Sequence, residues 1–491
     1  MSVKLSSAAL GHLPEGVAGP GYDRADLSPG IVHYGVGNFH RAHQATYLDR
    51  LFASGKDRDW AIVGAGVRPG DAAMRDRLAT QDWLYTVVDL DPQGLSARVV
   101  GSMTDFCPVD PEANIERMAA PETRIVSLTV TEGGYYIDAE TGGFDGDHPD
   151  VQADLESLRP PRTVFGQICA ALKRRFDAGV PPFTVMSCDN IPENGQATKR
   201  AVVGFARLSD PELADRIELE VAFPNGMVDC ITPATSEREL KMVRDRFGIE
   251  DAAPVVCEPF RQWVLEDRFP AGRPRLEDVG VEFVDDVLPY ELMKLRILNA
   301  GHAAIAYPSA LLGHTLASDA MNDPDMAAWL EAVIGREAIP TLPKIPGVDF
   351  RQYLATCAER FGNAEVGDTI ARLCLDGSNR QPKFILPTVR DALRDGGPVE
   401  GLALEVALWC RYCRGEDEEG RPIRIEDERA LRLKKAAEEA REDPLAFLRI
   451  GDVFGDLVHE DRFRDAFAAA LRRLYDTGVR AELRSYVAPS G

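Results

Sequence analysis

The sequence predicts an α/β protein whose N-terminal half is a doubly wound sheet and whose C-terminal half is mainly α-helical. Three observations carry this reading. Apolar runs at 31–37, 60–67, 124–131 and 182–188 alternate with segments of helical period and end in Gly, Asn or acidic residues, as parallel strands do. The first run closes on Gly35-Val36-Gly37 and leads into a helical pattern. After Val281-Glu282-Phe283-Val284 the periodicity turns almost wholly helical. A boundary near 285–289 therefore separates residues 1–285 from residues 286–491.

Ile31 to Gly37 reads as a buried strand. Phe39, Ala42, Ala45, Leu48 and Leu51 then give helical spacing over Asn38 to Ser54. Strand, Gly-x-Gly, helix is the layout of a dinucleotide-binding, Rossmann-like turn. The first glycine makes the turn, and the second lets a pyrophosphate approach the backbone. His40 occupies the place of the usual third glycine. Trp60 to Val67 fits the next parallel strand. An acid at its end favours the 2′-hydroxyl of NAD, and an arginine accommodates the 2′-phosphate of NADP. Here Arg68 stands forward and Asp71 is displaced, so both coenzymes stay open, with Arg68 as a solvated loop cation the plainer alternative.

The run 124–131 ends in Thr131-Glu132-Gly133-Gly134, and 182–188 ends in Asp189-Asn190-Ile191. Ligands of doubly wound sheets bind beyond the carboxyl ends of strands, so Glu132 and Asn190 fall where coenzyme and substrate would meet. An N-cap or turn role competes for Asn190. The stretch Asp138 to Asp154 has no Lys or Arg and reads as a surface excursion. Val221 to Cys230 sets Pro-Asn-Gly turn chemistry beside Asp229, as a strand and loop near a site or as an ordinary hairpin.

In the helical half, Lys294-Leu295-Arg296-Ile297-Leu298-Asn299-Ala300-Gly301-His302 places an amine, an amide and an imidazole in an apolar run. At ~100° per residue, Asn299 and His302 lie ~60° apart and Lys294 lies ~80° from His302 on its other side. A lysine in a dry pocket loses part of its preference for the charged form and becomes a base near neutral pH. The plainer alternative is a snorkelling lysine and a satisfied core histidine. Further helical segments are Met326–Ile334, Phe350–Phe361, Pro387–Arg394, Leu402–Cys413, Glu426–Glu442 and Arg462–Tyr475. Arg372, Arg380 and Lys383 surround a turn at Asp376-Gly377 and suit hydroxyls or a carboxylate, with surface solvation as the alternative.

Composition narrows the partners. The 491 residues are 45% hydrophobic, enough for two or three domains with buried cores. A net charge of −23 argues against nucleic acid or an anionic membrane. No secretory leader or membrane span is expected, since the longest apolar run, Ala303 to Leu312, is broken by Pro308 and Ser309. Nine cysteines stand singly apart from Cys410 and Cys413, which reads as reduced thiols of a cytoplasmic protein. The lone Cys-x-x-Cys reads as structural, and no His-Glu-x-x-His or Cys/His cluster suggests a metal.

Gly35 to Gln44, Thr131 to Tyr135, Cys188 to Ile191 and Lys294 to His302, taken in order, resemble the polyol-specific long-chain dehydrogenases over nearly the whole chain. That resemblance implies a metal-independent enzyme that interconverts mannitol and fructose with NAD(H) or NADP(H), and a monomer. It implies Lys294 as general base, Asn299 and Asn190 as donors to the developing alkoxide, and His302 as a substrate-positioning group. It implies Asp229, Arg372 and Arg380 or Lys383 as pocket residues, and Glu132 on a proton or water route. Gly35, Gly37, Asn38, Phe39, Arg68, Thr131 and Glu132 are the candidate coenzyme-binding residues. A hexuronate reductase (fructuronate to mannonate) and an arabinitol or sorbitol dehydrogenase share the pattern. A nucleotide-binding sensor without catalysis is a third reading, opposed by Lys294, Asn299 and His302 occurring together.

Overall fold

The computed structural model describes residues 2–138, 141–157 and 159–488. The chain forms two compact units, 1–288 and 289–491.

Five strands build the central sheet of the first unit: β1 (Pro29–Tyr34), β2 (Ala61–Ala65), β3 (Met103–Phe106), β4 (Ile125–Leu128) and β5 (Thr184–Ser187). All neighbours are parallel, in the order β3-β2-β1-β4-β5. This is doubly wound order, and its chain reversal falls between β1 and β4, where such sheets open a ligand crevice. The strands read as unbroken apolar runs because helices cover both faces. Ile31 and Ile62 enter one buried cluster, and Val32, Tyr34, Val126 and Leu128 the other.

A second sheet pairs β6 (Gly226–Asp229) antiparallel with β7 (Gln262–Glu266), which runs parallel to β8 (Glu282–Val284). Val221 to Cys230 is thus a loop feeding a strand. Tyr85–Asp89 and Ser96–Val100 form an antiparallel pair within a further, four-stranded sheet that the sequence reading lacked.

The expected helix over 38–54 is two helices, Asn38–Ala42 and Gln44–Ala53. His43 breaks it with φ −112° and ψ −92°. Its ring stacks on Phe39 and shares a hydrogen bond with the Gln262 carbonyl at 2.9 Å, so tertiary contacts outweigh helix continuity. The expected surface excursion 138–154 also needs correction. Residues 139–140 lie outside those described, but Pro149–Glu156 is a helix with Val151 and Asp154 buried.

Among the described residues the second unit holds helices and no strand. Leu288–Met293, Lys294–Asn299 and Ala300–Leu311 run on as one rod. Glu400–Tyr412 packs against Asp461–Thr477 and against Ala300–Leu311. Trp329 donates its indole N–H to the Ala304 carbonyl at 2.9 Å, which fixes a neighbouring helix to the rod. All nine cysteines are buried free thiols, Cys410 and Cys413 included. No helix among the described residues is long and apolar enough to cross a membrane.

Candidate active site

The glycine turn begins where β1 ends. Gly35 has φ +90°, and a Cβ there would stand 2.0 Å from the Thr129 carbonyl oxygen, so only glycine fits. The Gly37 N–H bonds the Gly35 carbonyl at 2.6 Å and closes the turn. Gly37 then caps Asn38–Ala42.

An imidazole pair replaces the missing third glycine. The His40 ring lies 3.4 Å from that of His33, with 13° between the planes. His33 Nδ1 shares a hydrogen bond with Ser127 Oγ at 2.7 Å, and its Nε2 with Thr129 Oγ1 at 2.9 Å. His40 Nδ1 is 3.1 Å from Gln44 Oε1. Burial pushes His33 down to about 3, and it pushes His40 well below the usual histidine range with help from His33 and Arg41. Both shifts favour the neutral imidazole, and two neutral rings stack without charge repulsion.

A cavity of about 530 Å³ opens at the ends of β1, β2 and β4. Of the candidate coenzyme-binding residues, Gly35, Gly37, Arg68 and Thr131 line it, and so do Gly66 and Asp71. Asp71 Oδ2 accepts the N–H groups of Val67 and Arg68 at 2.8 and 2.9 Å, which folds the β2 loop around the carboxylate. A Cβ on Gly66 would meet that of Asp71 at 2.3 Å. Volume, glycine walls and an acid beside the second strand suit a dinucleotide with its ribose at Asp71. Asp150 and Asp154 of Pro149–Glu156 belong to the same wall, which sequence reading missed.

The side chains of Asn38 and Phe39 make protein contacts. Asn38 Nδ2 donates to the Pro233 carbonyl and Thr235 Oγ1 at 3.2 and 3.1 Å, and its Oδ1 accepts from Arg41 at 2.7 Å. Phe39 packs on His43. Both secure the turn from behind.

At the end of β4, Glu132 opens a short 3₁₀ turn, Glu132–Tyr135. At the end of β5, Asp189 is buried and Asn190, next in sequence, is exposed. The Asp189 carboxylate accepts the N–H groups of Val130 and Thr131, each at 2.9 Å, and the Tyr135 hydroxyl at 2.7 Å. Asp229 ends β6 and is buried. The loop after β5 is tied to the start of β6 through Asn194, whose amide donates to the Gly226 carbonyl at 2.7 Å and accepts its N–H at 2.9 Å.

In the second unit, Lys294–Asn299 is a π-helix, with the Ala300 N–H bonding the Leu295 carbonyl. The α-helical angles expected for this segment therefore do not hold: Lys294 and Asn299, at i and i+5, lie one π-turn apart. Lys294 is buried. The His302 ring packs 4.1 Å from that of Phe361. Arg296 is structural: it donates to Thr341 and to Asp391.

The expected turn lies at 374–376, between two helices that carry the three cations, Ile370–Leu373 and Gly377–Phe384, the second packed against the π-segment. Arg372 forks onto Asp368, and Arg380 donates to the Arg372 and Leu373 carbonyls. Lys383 lies in the last turn of the second helix.

The sequence models of the mannitol dehydrogenase Rossmann domain and the mannitol dehydrogenase C-terminal domain match residues 29–278 and 286–475. A mannitol 2-dehydrogenase of Cereibacter sphaeroides is 55% identical over 96% of this chain and 99% of its own. The Pseudomonas fluorescens mannitol 2-dehydrogenase, solved as a ternary complex with NAD and D-mannitol, is 44% identical with a TM-score of 0.86, covering 98% of this chain and 99% of its own. A D-sorbitol dehydrogenase solved in substrate-free form is 36% identical with a TM-score of 0.91, covering 98% of this chain and 100% of that one. With both halves matched and relatives aligned nearly end to end, the chain belongs to the mannitol dehydrogenase family.

Proposed function

We propose that this chain is an NAD-dependent oxidoreductase that interconverts D-mannitol and D-fructose, with Lys294 as general base. The observation that carries the reading is its 44% identity, over 98% of its length, to a protein solved with NAD and D-mannitol. The glycine-walled cavity with Asp71 in its wall supports NAD as the coenzyme. Residues 1–285 hold the coenzyme and residues 286–491 supply the base. The enzyme works as a monomer and in the cytoplasm, the location being supported by its free, buried thiols.

Bound at the cavity lined by Gly35, Gly37 and Asp71, NAD would supply the acceptor for the substrate hydride. Lys294 takes the hydroxyl proton, which requires its neutral form, and its burial favours that form. Asn299 and Asn190 donate N–H groups to the oxygen as negative charge grows. His302, held on Phe361, orients a second hydroxyl. Asp229 and Lys383 bind further hydroxyls, and Glu132 passes the proton to water.

The hexuronate alternative needs a cation set for a carboxylate. Arg372 and Arg380 are already committed to Asp368 and to backbone carbonyls, which favours an uncharged polyol. The TM-score of 0.91 to a D-sorbitol dehydrogenase favours D-sorbitol as a second substrate. Coenzyme-linked assays decide: NADH and NADPH with fructose, fructuronate, tagaturonate and xylulose, and NAD with mannitol and sorbitol. Fructose reduction by NADH is the expected main activity. A uronate preference would overturn the polyol reading, and NADH binding without turnover of any substrate would favour a sensor.

A further inference from the structure

We propose that Asp189 is a positioning residue for the coenzyme-facing turn, clamping Thr131 in a backbone conformation that threonine does not adopt unaided. Thr131 has φ 68° and ψ 162°. That region is essentially reserved for glycine, and a β-branched residue persists there only when its surroundings over-determine it. The surroundings here centre on one buried carboxylate, while the Thr131 carbonyl accepts the Gly134 N–H at 2.9 Å. Oδ1 of Asp189 accepts the Thr131 N–H at 2.9 Å, and Oδ2 accepts the Val130 N–H at 2.9 Å and the Tyr135 hydroxyl at 2.7 Å. Tyr135 is fixed in turn by Ser187 Oγ at 2.6 Å, on β5 itself.

The clamp stands where it can matter. Thr129, Val130 and Thr131 line the cavity proposed for the coenzyme. Glu132 follows Thr131, and Asn190 follows Asp189. Beyond the last ladder bond, from the Cys188 N–H to the Leu128 carbonyl at 2.8 Å, one carboxylate therefore ties the loop after β4 to the end of β5, and with it the placement of two groups assigned to the reaction. Asparagine at 189 would turn one acceptor oxygen into a donor facing an N–H. A carboxylate pairs both N–H groups, and its amide cannot.

The inference rests on the coenzyme reading above, so the test reads coenzyme affinity apart from turnover. Asp189→Asn and the double variant Asp189→Asn/Thr131→Gly are compared with the wild type by NADH fluorescence titration, by turnover per titrated active site, and by thermal unfolding. In Asp189→Asn the NADH Kd rises about tenfold, as the loss of one charge-assisted bond predicts. Turnover per site also falls about tenfold. The double variant recovers NADH affinity to within about threefold, because glycine takes positive φ without strain.

Two results would overturn the clamp. One is Asp189→Asn whose surviving sites bind NADH and turn over as the wild type does, whatever its melting temperature. The other is a double variant that binds NADH no better than Asp189→Asn. A wild type that binds NADH but oxidises no polyol would sink the functional reading and leave this affinity comparison intact.

Discussion

Lys294 and Asn299 stand at the two ends of one π-helical turn, five residues apart, with the Ala300 N–H bonded to the Leu295 carbonyl. In an α-helix, residues at i and i+5 diverge by ~140°, whereas the wider π-turn brings them towards alignment. In the proposed mechanism the π-turn lets a base and an amide donor serve one substrate oxygen.

Lys294→Ala should lower mannitol oxidation by about 10²–10⁴-fold, the usual contribution of a positioned general base. The NADH Kd should stay near that of the wild type, because the cavity proposed for the coenzyme is built within the first unit. Steady-state kinetics beside fluorescence titration checks both. Near-normal turnover would remove Lys294 from the base role.

His40→Gly would restore the three-glycine pattern and yet should weaken coenzyme binding. It deletes the ring stacked 3.4 Å from His33, beneath the Gly35 turn. Such ring pairs contribute about 1 kcal/mol, so the NADH Kd should rise about fivefold. Calorimetric titration would show it, and an unchanged or tighter Kd would refute a supporting role for the stack.

Asp71→Ser should move coenzyme choice towards NADPH. The carboxylate disfavours a 2′-phosphate, and Arg68 on the same wall would then pair with it. The NADPH-to-NADH ratio of kcat/KM should rise at least about tenfold, roughly one ion pair's worth of discrimination. Retention of the wild-type ratio would move the ribose site elsewhere.

Glu405→Gln should change how stability depends on pH. Glu405 is fully buried, and burial pushes its carboxyl up to about 8, opposed by the hydrogen bond from Gln381 at 2.6 Å. The folded state thus holds a proton that the unfolded chain releases near the ordinary carboxyl range. Its contribution to stability is full below that range and is lost as pH rises through about 8. The amide variant keeps an acceptor for Gln381 and does not ionise. Its stability relative to wild type should improve by on the order of 3 kcal/mol between pH 5 and pH 8.5, read from urea midpoints. Parallel pH curves for the two proteins would contradict this.

The sheet was legible because its strands are buried on both faces and read as unbroken apolar runs: Ile31–Tyr34 and Ile125–Leu128 need no partner to be recognised. Gly35 was legible because its backbone conformation admits one residue type. What escaped depends on tertiary contact. The break at His43 follows from Phe39 and Gln262, the latter far along the chain. The π-turn has the same composition as an α-turn. Arg372 and Arg380 are as basic in sequence as any ligand-binding pair, and their bonds to Asp368 and to backbone carbonyls could not be read there. Asp189 was passed over for its neighbour Asn190, although the strained Thr131 that it holds could be seen only in three dimensions.

The burial of all nine cysteines makes the thiols a gauge of opening. Burial pushes Cys107 up to about 11 and Cys374 up to about 12, so in the closed chain almost none of either is thiolate at neutral pH. An alkylating reagent would meet these sulfurs only when their surroundings open. Cys107, Cys169, Cys188, Cys230 and Cys257 lie in the first unit and Cys357, Cys374, Cys410 and Cys413 in the second. Mass-resolved labelling over time would therefore clock the loosening of each half separately, with no probe added to the chain.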